Sequence, residues 1–519
     1  MLQTRTMLPA ALTVAAVTSS TLAERHDAHR ARDHSFAQEA THAQAVLDGV
    51  RGAGPLVCTL AQRAVEHQMG SWGWMTTSAV RSENAATRWA ISERPGAASV
   101  PVLIRGLAST DACERDIAAR LLARSRTDDA IGALTDGLRA ADAGARASAA
   151  VGLGLADAQE SASALITALR DDDAAVRAAA AWALGSIEHA PAGDALQQSL
   201  GDDSPLVRVA AAGALGRLEN PEAVDALLRV LREDEDEEVR LAAATALGHI
   251  ESPRALSGLQ EVLSDPSARV RRTVVWAIAQ IDSRESVPSL TRAAEDADED
   301  VREMAVWAIG DIGGDAGVQT LAARLRTDRS VRVRRTAAWA LGNSEPDAAS
   351  AILGEALRSD TDQEVRATAA WALGESEGQD AVAQLVAVLS DPSAEVRRNA
   401  AWAIGQIEPS TAPPELIRAL TDGDAEVRQR AAWALGQIED PAAVNGLRDA
   451  LDDESPEVSR AALWALGGID NEAAREALLR ALDDQDAATR ARAARGLGGG
   501  HRGPWPWPMP RPRPRPFPY

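Results

Sequence analysis

Seven tryptophans recur through the second half of the chain at intervals of 31 or 32 residues: Trp276, Trp307, Trp339, Trp371, Trp402, Trp433 and Trp464. Four residues after each, one helical turn along, stand Gln280, Asp311, Asn343, Glu375, Gln406, Gln437 and Gly468, and six of these seven accept hydrogen bonds. Indoles paired in register with acceptors are suited to holding a ligand by stacking and hydrogen bonding. Bond-breaking chemistry lacks its arrangements. There is no HExxH metal motif, no phosphate-binding GxxxxGK(S/T) loop and no GxSxG nucleophile elbow. His26, His29, His34 and His42 crowd one short tract, but no acidic or thiol partner is fixed at ligand spacing, so neither metal nor cofactor is expected. Cys58 and Cys113 are too few for a disulfide scaffold or a four-ligand zinc site; they form either one bridge in an oxidising compartment or two small apolar core positions.

The elements that position the tryptophans are helices. The chain has 519 residues, only two Phe and one Tyr, and is rich in the strong helix formers Ala, Leu, Arg and Glu. A fixed period near 31 marks a stacked helical array, which grows by addition and needs no single central core. The formal charge of −22 argues against a phosphate-backbone binder, so nucleic acid is not expected as a partner.

Along the chain, residues 1–23 read as a signal peptide: Arg5, an apolar stretch from Met7 to Val17, and the small-residue site Thr21-Leu22-Ala23. The mature protein is expected to be exported, periplasmic or extracellular, with no stable membrane insertion after cleavage. Residues 24–80 form a charged leader and an irregular N-terminal helical cap, and residues 81–498 form the repeat array. Residues 499–519 are a Gly joint followed by a Pro, Arg and Trp tail, PWPWPMPRPRPRPFPY, expected as a polyproline II rod.

Within the array a small helix-closing residue falls at Ser92, Ala123, Gly154 and on to Gly498, always 31 or 32 apart, which gives fourteen units. In one unit, Pro441 to Leu451 reads as a first helix, Asp452 to Ser455 as a turn with Ser455 placed to cap, and Pro456 to Ile469 as a second helix. Fourteen residues before the closing residue stands an aspartate in eleven consecutive units, from Asp171 through Asp328 to Asp484. Six residues after most of these stands an arginine, as in Arg177, Arg302 and Arg428. We expect a structural ladder in which these two bond from one unit to the next.

Two helices in about 31 residues, the Asp and Arg six apart, Val before the Arg, and the closing A-(L/I)-G-x-I resemble the bacterial HEAT repeats called phycobilisome-lyase-like. The resemblance covers residues 81–498. It implies an all-α, right-handed α-solenoid of about fourteen two-helix repeats, with second helices along the inner face.

On a helical wheel of the second helix, Val427, Ala431, Ala434, Leu435 and Ile438 form the core stripe, and Trp433 with Gln429, Gly436 and Gln437 lies opposite. Two arrangements follow from that placement. In the preferred one the indoles line an open groove; the Trp-x-x-x-(Asn/Gln/Asp/Glu) pattern then resembles the Trp and Asn ladder of armadillo import receptors, although only Asn343 matches their Asn. In the other, each indole fills the seam against the next second helix. Arg272, Arg335, Arg398, Arg430 and Arg460 lie near the same face and suit cation–π stacking in either case.

The function expected is a non-catalytic protein-binding scaffold that holds an extended peptide or partner protein in a Trp-lined groove, the chain's own tail being one candidate. A glycan-binding solenoid of the cell envelope is the alternative, because an indole row also stacks on sugar rings. An enzyme is the remaining class. HEAT-like arrays resemble deoxyhypusine hydroxylase, but none of the eight histidines is followed by the glutamate that such an iron site uses, and the lyase resemblance brings no catalytic residues with it.

Overall fold

The computed structural model describes residues 40–41, 43–48, 51, 95–313, 317–343, 346–376, 378–483 and 487–497. The expected signal segment, the four histidines, Cys58, the unit closing at Ser92 and the tail lie outside the described residues. Among the described residues all regular structure is helical, with no strand. They fall into two compact units, residues 1–262 and 263–519, and each is a stack of helix pairs.

The unit at 441–468 shows how a pair is built. Its first helix is a composite of a 3-10 turn at Pro441–Ala443, an α-helix at Val444–Asp449 and a second 3-10 turn at Ala450–Asp452. The second helix runs Pro456–Gly468, with proline at its first position, where a missing N–H costs nothing. Ser455 occupies the N-cap position but does not cap: its Oγ donates to Glu457 Oε2 at 3.1 Å. Aspartates take that role elsewhere. Asp173 accepts from the Ala175 and Val176 amides at 2.9 and 3.3 Å, and Asp236, Asp298, Asp362 and Asp424 cap their helices likewise.

Consecutive second helices pack directly on one another in both units. The ladder fastens their N-terminal ends. In the first unit Arg177 forks onto Asp202, Nε to Oδ2 at 2.7 Å and Nη2 to Oδ1 at 2.8 Å, while its Nη1 donates to the Asp171 and Asp172 carbonyls. In the second unit Arg397 does the same to Asp422 and to the carbonyls of Asp391 and Pro392. Each aspartate also accepts the amide two residues ahead, as Asp202 does from Ser204 at 2.9 Å. One guanidinium therefore satisfies a carboxylate of the next repeat and two main-chain carbonyls of its own.

These bonds shift the titration of both partners. Asp171 and Asp202 are held below the usual carboxylate range mainly by the arginine fork. At Asp296, Asp328, Asp391, Asp422 and Asp453 burial is the largest influence and pushes upward, yet the fork, the backbone amide and the neighbouring guanidinia together outweigh it. Arg302 and Asp328 form the most enclosed rung, their side chains 5% and 2% exposed.

At the start of the first unit, Leu47 is buried against the helix Val100–Leu107, where it leaves no room for a Cβ on Gly106. Arg51 forks onto the buried Glu114 at 2.8 Å twice. Cys113 is disulfide-bonded; the chain's other cysteine, Cys58, lies outside the described residues.

Candidate functional site

The tryptophans sit where neighbouring second helices approach most closely. The closing glycine of one repeat faces the alanine that follows the Trp position in the next. A Cβ built on Gly405 would come 2.8 Å from Ala434 Cα and 2.6 Å from Trp433 Cζ3; on Gly374 it would come 2.8 Å from Ala403 Cα and 2.9 Å from Trp402 Cζ3. Backbone contact this short explains why the motif closes in glycine and why alanine follows Trp: a β-carbon on the first or a larger side chain on the second would push the helices apart.

That placement corrects the expectation that the indoles face an open groove. Trp371, Trp402 and Trp433 are 4%, 7% and 5% exposed, so these rings fill the joints between repeats. Trp276, Trp307, Trp339 and Trp464 are half-buried. The helical wheel divides one helix into a core side and an opposite side, but a helix inside a stack also has neighbours on both flanks, and Trp433 points toward a flank. The core stripe holds at Val427, Ala431, Ala434 and Leu435, all fully buried, whereas Ile438 is half-buried. The Trp371 indole N–H is buried without a hydrogen-bond partner.

The residues four beyond each Trp remain in contact with solvent. Asn343 is exposed, and Gln280, Glu375, Gln406 and Gln437 are half-buried. Gln437 donates to Glu408 at 3.4 Å. At Asp311 burial, with Asp282 nearby, pushes the carboxyl up.

The arginines expected to stack on indoles are drawn to carboxylates. Arg335 bonds Glu364 at 2.6 Å, Arg398 bonds Glu426, Arg460 bonds Glu457, and Arg272 lies 3.9 Å from Asp300. Burial lowers the pKa of Arg430. Among the described residues a guanidinium sits over an indole at Arg217, whose Cζ is 5.9 Å from the Trp182 ring centroid. It occupies the same register as Gln406 and Gln437, and there it reaches over the indole of the repeat before it. Sequence spacing carried this signal, since Arg217 follows Gly216 as Gln437 follows Gly436.

Sequence reasoning also missed a row of acidic residues in the left-handed conformation just past the second helices: Asp157, Glu188, Glu219, Glu251, Asp282, Glu408 and Glu439. Among the described residues no group of His, Cys, Asp and Glu is arranged to hold a metal, and no helix is long and apolar enough to cross a membrane.

With this geometry in view, the chain can be set beside known proteins. The HEAT repeat profile matches residues 133–208, 193–272, 257–342, 350–424 and 413–498, and that of the PBS lyase HEAT-like repeat matches 333–359. No curated protein matches the sequence. Among solved structures it is similar to importin beta, at 13% identity and a TM-score of 0.52 over 92% of this chain and 82% of that one. Kap121p gives 16% identity and a TM-score of 0.51 over 86% of this chain and 57% of that one. Both likenesses are of fold alone. Human deoxyhypusine hydroxylase shares 26% identity over 48% of this chain and 96% of its own, but with a TM-score of 0.23 that likeness carries no argument.

Proposed function

The chain belongs to the HEAT repeat family, and from that premise we propose that it is an exported, non-catalytic scaffold that holds an extended protein segment against the second helices of its second unit. The observation that carries the reading is that the joints do not need tryptophan. In the first unit the Trp position is filled by Trp89, Arg120, Val151, Trp182, Gly213 and Thr245, so four of six repeats carry another residue there. The joints still close as tightly there: a Cβ on Gly185 would lie 2.6 Å from Ala214 Cα, and one on Gly216 would lie 2.8 Å from Ala246 Cα. Seven consecutive indoles in the second unit therefore answer a demand other than stacking.

In this reading the enclosed Trp371, Trp402 and Trp433 make a rigid floor. The half-exposed Trp276, Trp307, Trp339 and Trp464 supply stacking edges, and Gln280, Asp311, Asn343, Glu375, Gln406 and Gln437 bond the main chain of the bound segment. A disulfide at Cys113 agrees with an oxidising compartment and so with export. The test is a screen of the full chain against paired arrays of extended peptides and envelope glycans, repeated with Asn343→Ala, Gln406→Ala and Gln437→Ala combined. Peptide binding that the triple variant loses while its helical signal is unchanged supports the scaffold; glycan binding alone selects the sugar-binding alternative; binding that ignores the variant removes this surface from consideration.

A further inference from the structure

One face of the first unit is apolar where the matching positions of the second carry charge. Seven and four residues before the Trp position, the second unit places side chains that pair across its joints, Arg332 with Asp300 at 2.8 Å and Arg335 with Glu364 at 2.6 Å. In the first unit the same positions hold Leu206, Val209 and Leu241. Along the helix Pro205–Arg217, Val207, Ala211, Ala214 and Leu215 are fully buried in the core. Leu206, Val209, Gly213 and Arg217 recur at three- and four-residue steps on the other side. Leu206 is 56% exposed, and Val209 and Gly213 are half-buried, as are Trp182 and Leu241 on the second helices to either side, Ala174–Ser186 and Glu237–Ile250. A Cβ built on Gly213 meets nothing within 4 Å. At one end of the stripe Arg217 lies over Trp182, and no carboxylate among the described residues pairs with it. At the other end the exposed Glu238 stands in register with Leu206.

We propose that this face docks an amphipathic helix of a partner protein, lying antiparallel to Pro205–Arg217, with acidic residues in its first turn beside Arg217 and basic residues in its last turn beside Glu238. From Leu206 to Arg217 the stripe is about 16 Å long at 1.5 Å per residue, three turns of a helix. Neighbouring second helices, about 8–10 Å apart, widen it on both sides with Trp182 and Leu241. A helix suits this surface and an extended segment does not. A helix bonds its main-chain groups within itself, whereas an extended segment would press unpaired N–H and C=O groups onto apolar side chains. The hydroxyl of Thr245, in the Trp position beside Gly213, is already bonded back to the Leu241 carbonyl at 2.9 Å. The charges set the direction. Acidic groups at the start of a helix and basic groups at its end also suit that helix's own dipole, so the order that matches Arg217 and Glu238 is the one the partner favours by itself. The open place above Gly213 receives one apolar side chain of the partner. This inference concerns the first unit and is independent of the binding surface proposed for the second.

The test uses the full chain and a labelled, lactam-bridged helical peptide of about sixteen residues. It carries Leu at four positions spaced as i, i+4, i+7 and i+11, Asp in the first turn and Arg in the last, and binding is read by fluorescence anisotropy. Leu206→Gln should weaken binding roughly tenfold, the factor that one buried leucine brings. Leu479→Gln removes a leucine of similar exposure, 54%, from the second unit and should change nothing. A second peptide with the Asp and Arg blocks exchanged should bind about threefold more weakly than the first. Arg217→Glu should reverse that preference. No binding of the first peptide, equal loss from Leu206→Gln and Leu479→Gln, or a preference between the peptides that ignores Arg217→Glu would each overturn the proposal. So would binding to phosphatidylcholine vesicles that depends on Leu206 while the peptide is ignored, since the face would then serve a lipid surface.

Discussion

The two units of the molecule solve the same packing problem with different residues at one position. Both close their joints through a glycine against an alanine and both are laced by the Arg–Asp ladder, as at Arg177–Asp202 in the first and Arg397–Asp422 in the second. Only the second inserts an indole at every joint from Trp276 to Trp464. Gly213 in the first unit has nothing within 4 Å of its would-be Cβ, so a β-carbon there meets open space. Stacking rests on the shared features, and the tryptophans are an addition that the proposed function assigns to binding. If the shared features carry the fold, breaking them should damage either unit, whereas exchanging Trp position residues should move stability less and binding more.

The largest effect is expected at the most enclosed rung. Arg302→Ala leaves Asp328 buried without its fork and should destabilise the second unit by roughly 3–5 kcal/mol, read as the denaturation midpoint. Arg177→Ala, in a rung whose side chains are 17% and 14% exposed, should cost about half as much. Equal costs would mean that burial does not set the strength of the ladder.

The joint glycines give the next largest contrast. Gly405→Ala puts a methyl group against Ala434 and Trp433 and should cost about 1–3 kcal/mol. Gly213→Ala, in a helix of the first unit with room for the methyl, should stabilise by about 0.5–1 kcal/mol. Two glycines of the same helix type, changed identically, should thus move the thermal midpoint in opposite directions.

Acid should separate the ladder from the rest of the molecule. The ladder aspartates have folded pKa values below their ordinary value near 3.8, so their contribution is complete above that value and is lost as pH falls through the folded pKa. Stability should be flat with respect to these groups above about pH 5 and fall steeply below about pH 4. Asp328→Asn should shallow that fall even though the variant starts less stable. Urea midpoints at stepped pH check both statements.

Much of this was legible in the sequence because the ladder and the closing glycine are linear features. An Asp and an Arg six apart, repeated in phase, predict a bond between repeats, and the structure makes that bond at 2.7 Å in rung after rung. The gap at Ser459 was visible in the same way, as a register position without an arginine between Arg428 and Arg490. The fate of Trp433 was not legible, because its exposure depends on the flanking repeats and a single helix contains no information about them. Nor was the left-handed row, since Glu188 and Glu439 are types that give no sign of positive φ, whereas a glycine there would have announced the helix end.

That row supplies the smallest and most local contrast. Glu439 sits just past its helix at φ 56° and ψ 24°, ordinary left-handed backbone that an L-residue adopts at a cost of roughly 1 kcal/mol. Its charge also lies at the negative end of the helix dipole, which opposes it. Glu439→Gly removes both penalties and should stabilise the second unit by about 0.5–1 kcal/mol. Gly313 holds the same register three residues after Gly310, but at φ 69° and ψ −174° it lies in a region that only glycine occupies readily. Gly313→Glu should therefore cost about 1–3 kcal/mol, although it installs the residue type that most repeats carry at that position. The two exchanges, measured by denaturation in the same background, decide whether backbone conformation or the consensus of the repeat governs this corner: if Gly313→Glu is neutral, the helix end re-forms to suit the side chain and the strain argument for Glu439 fails with it.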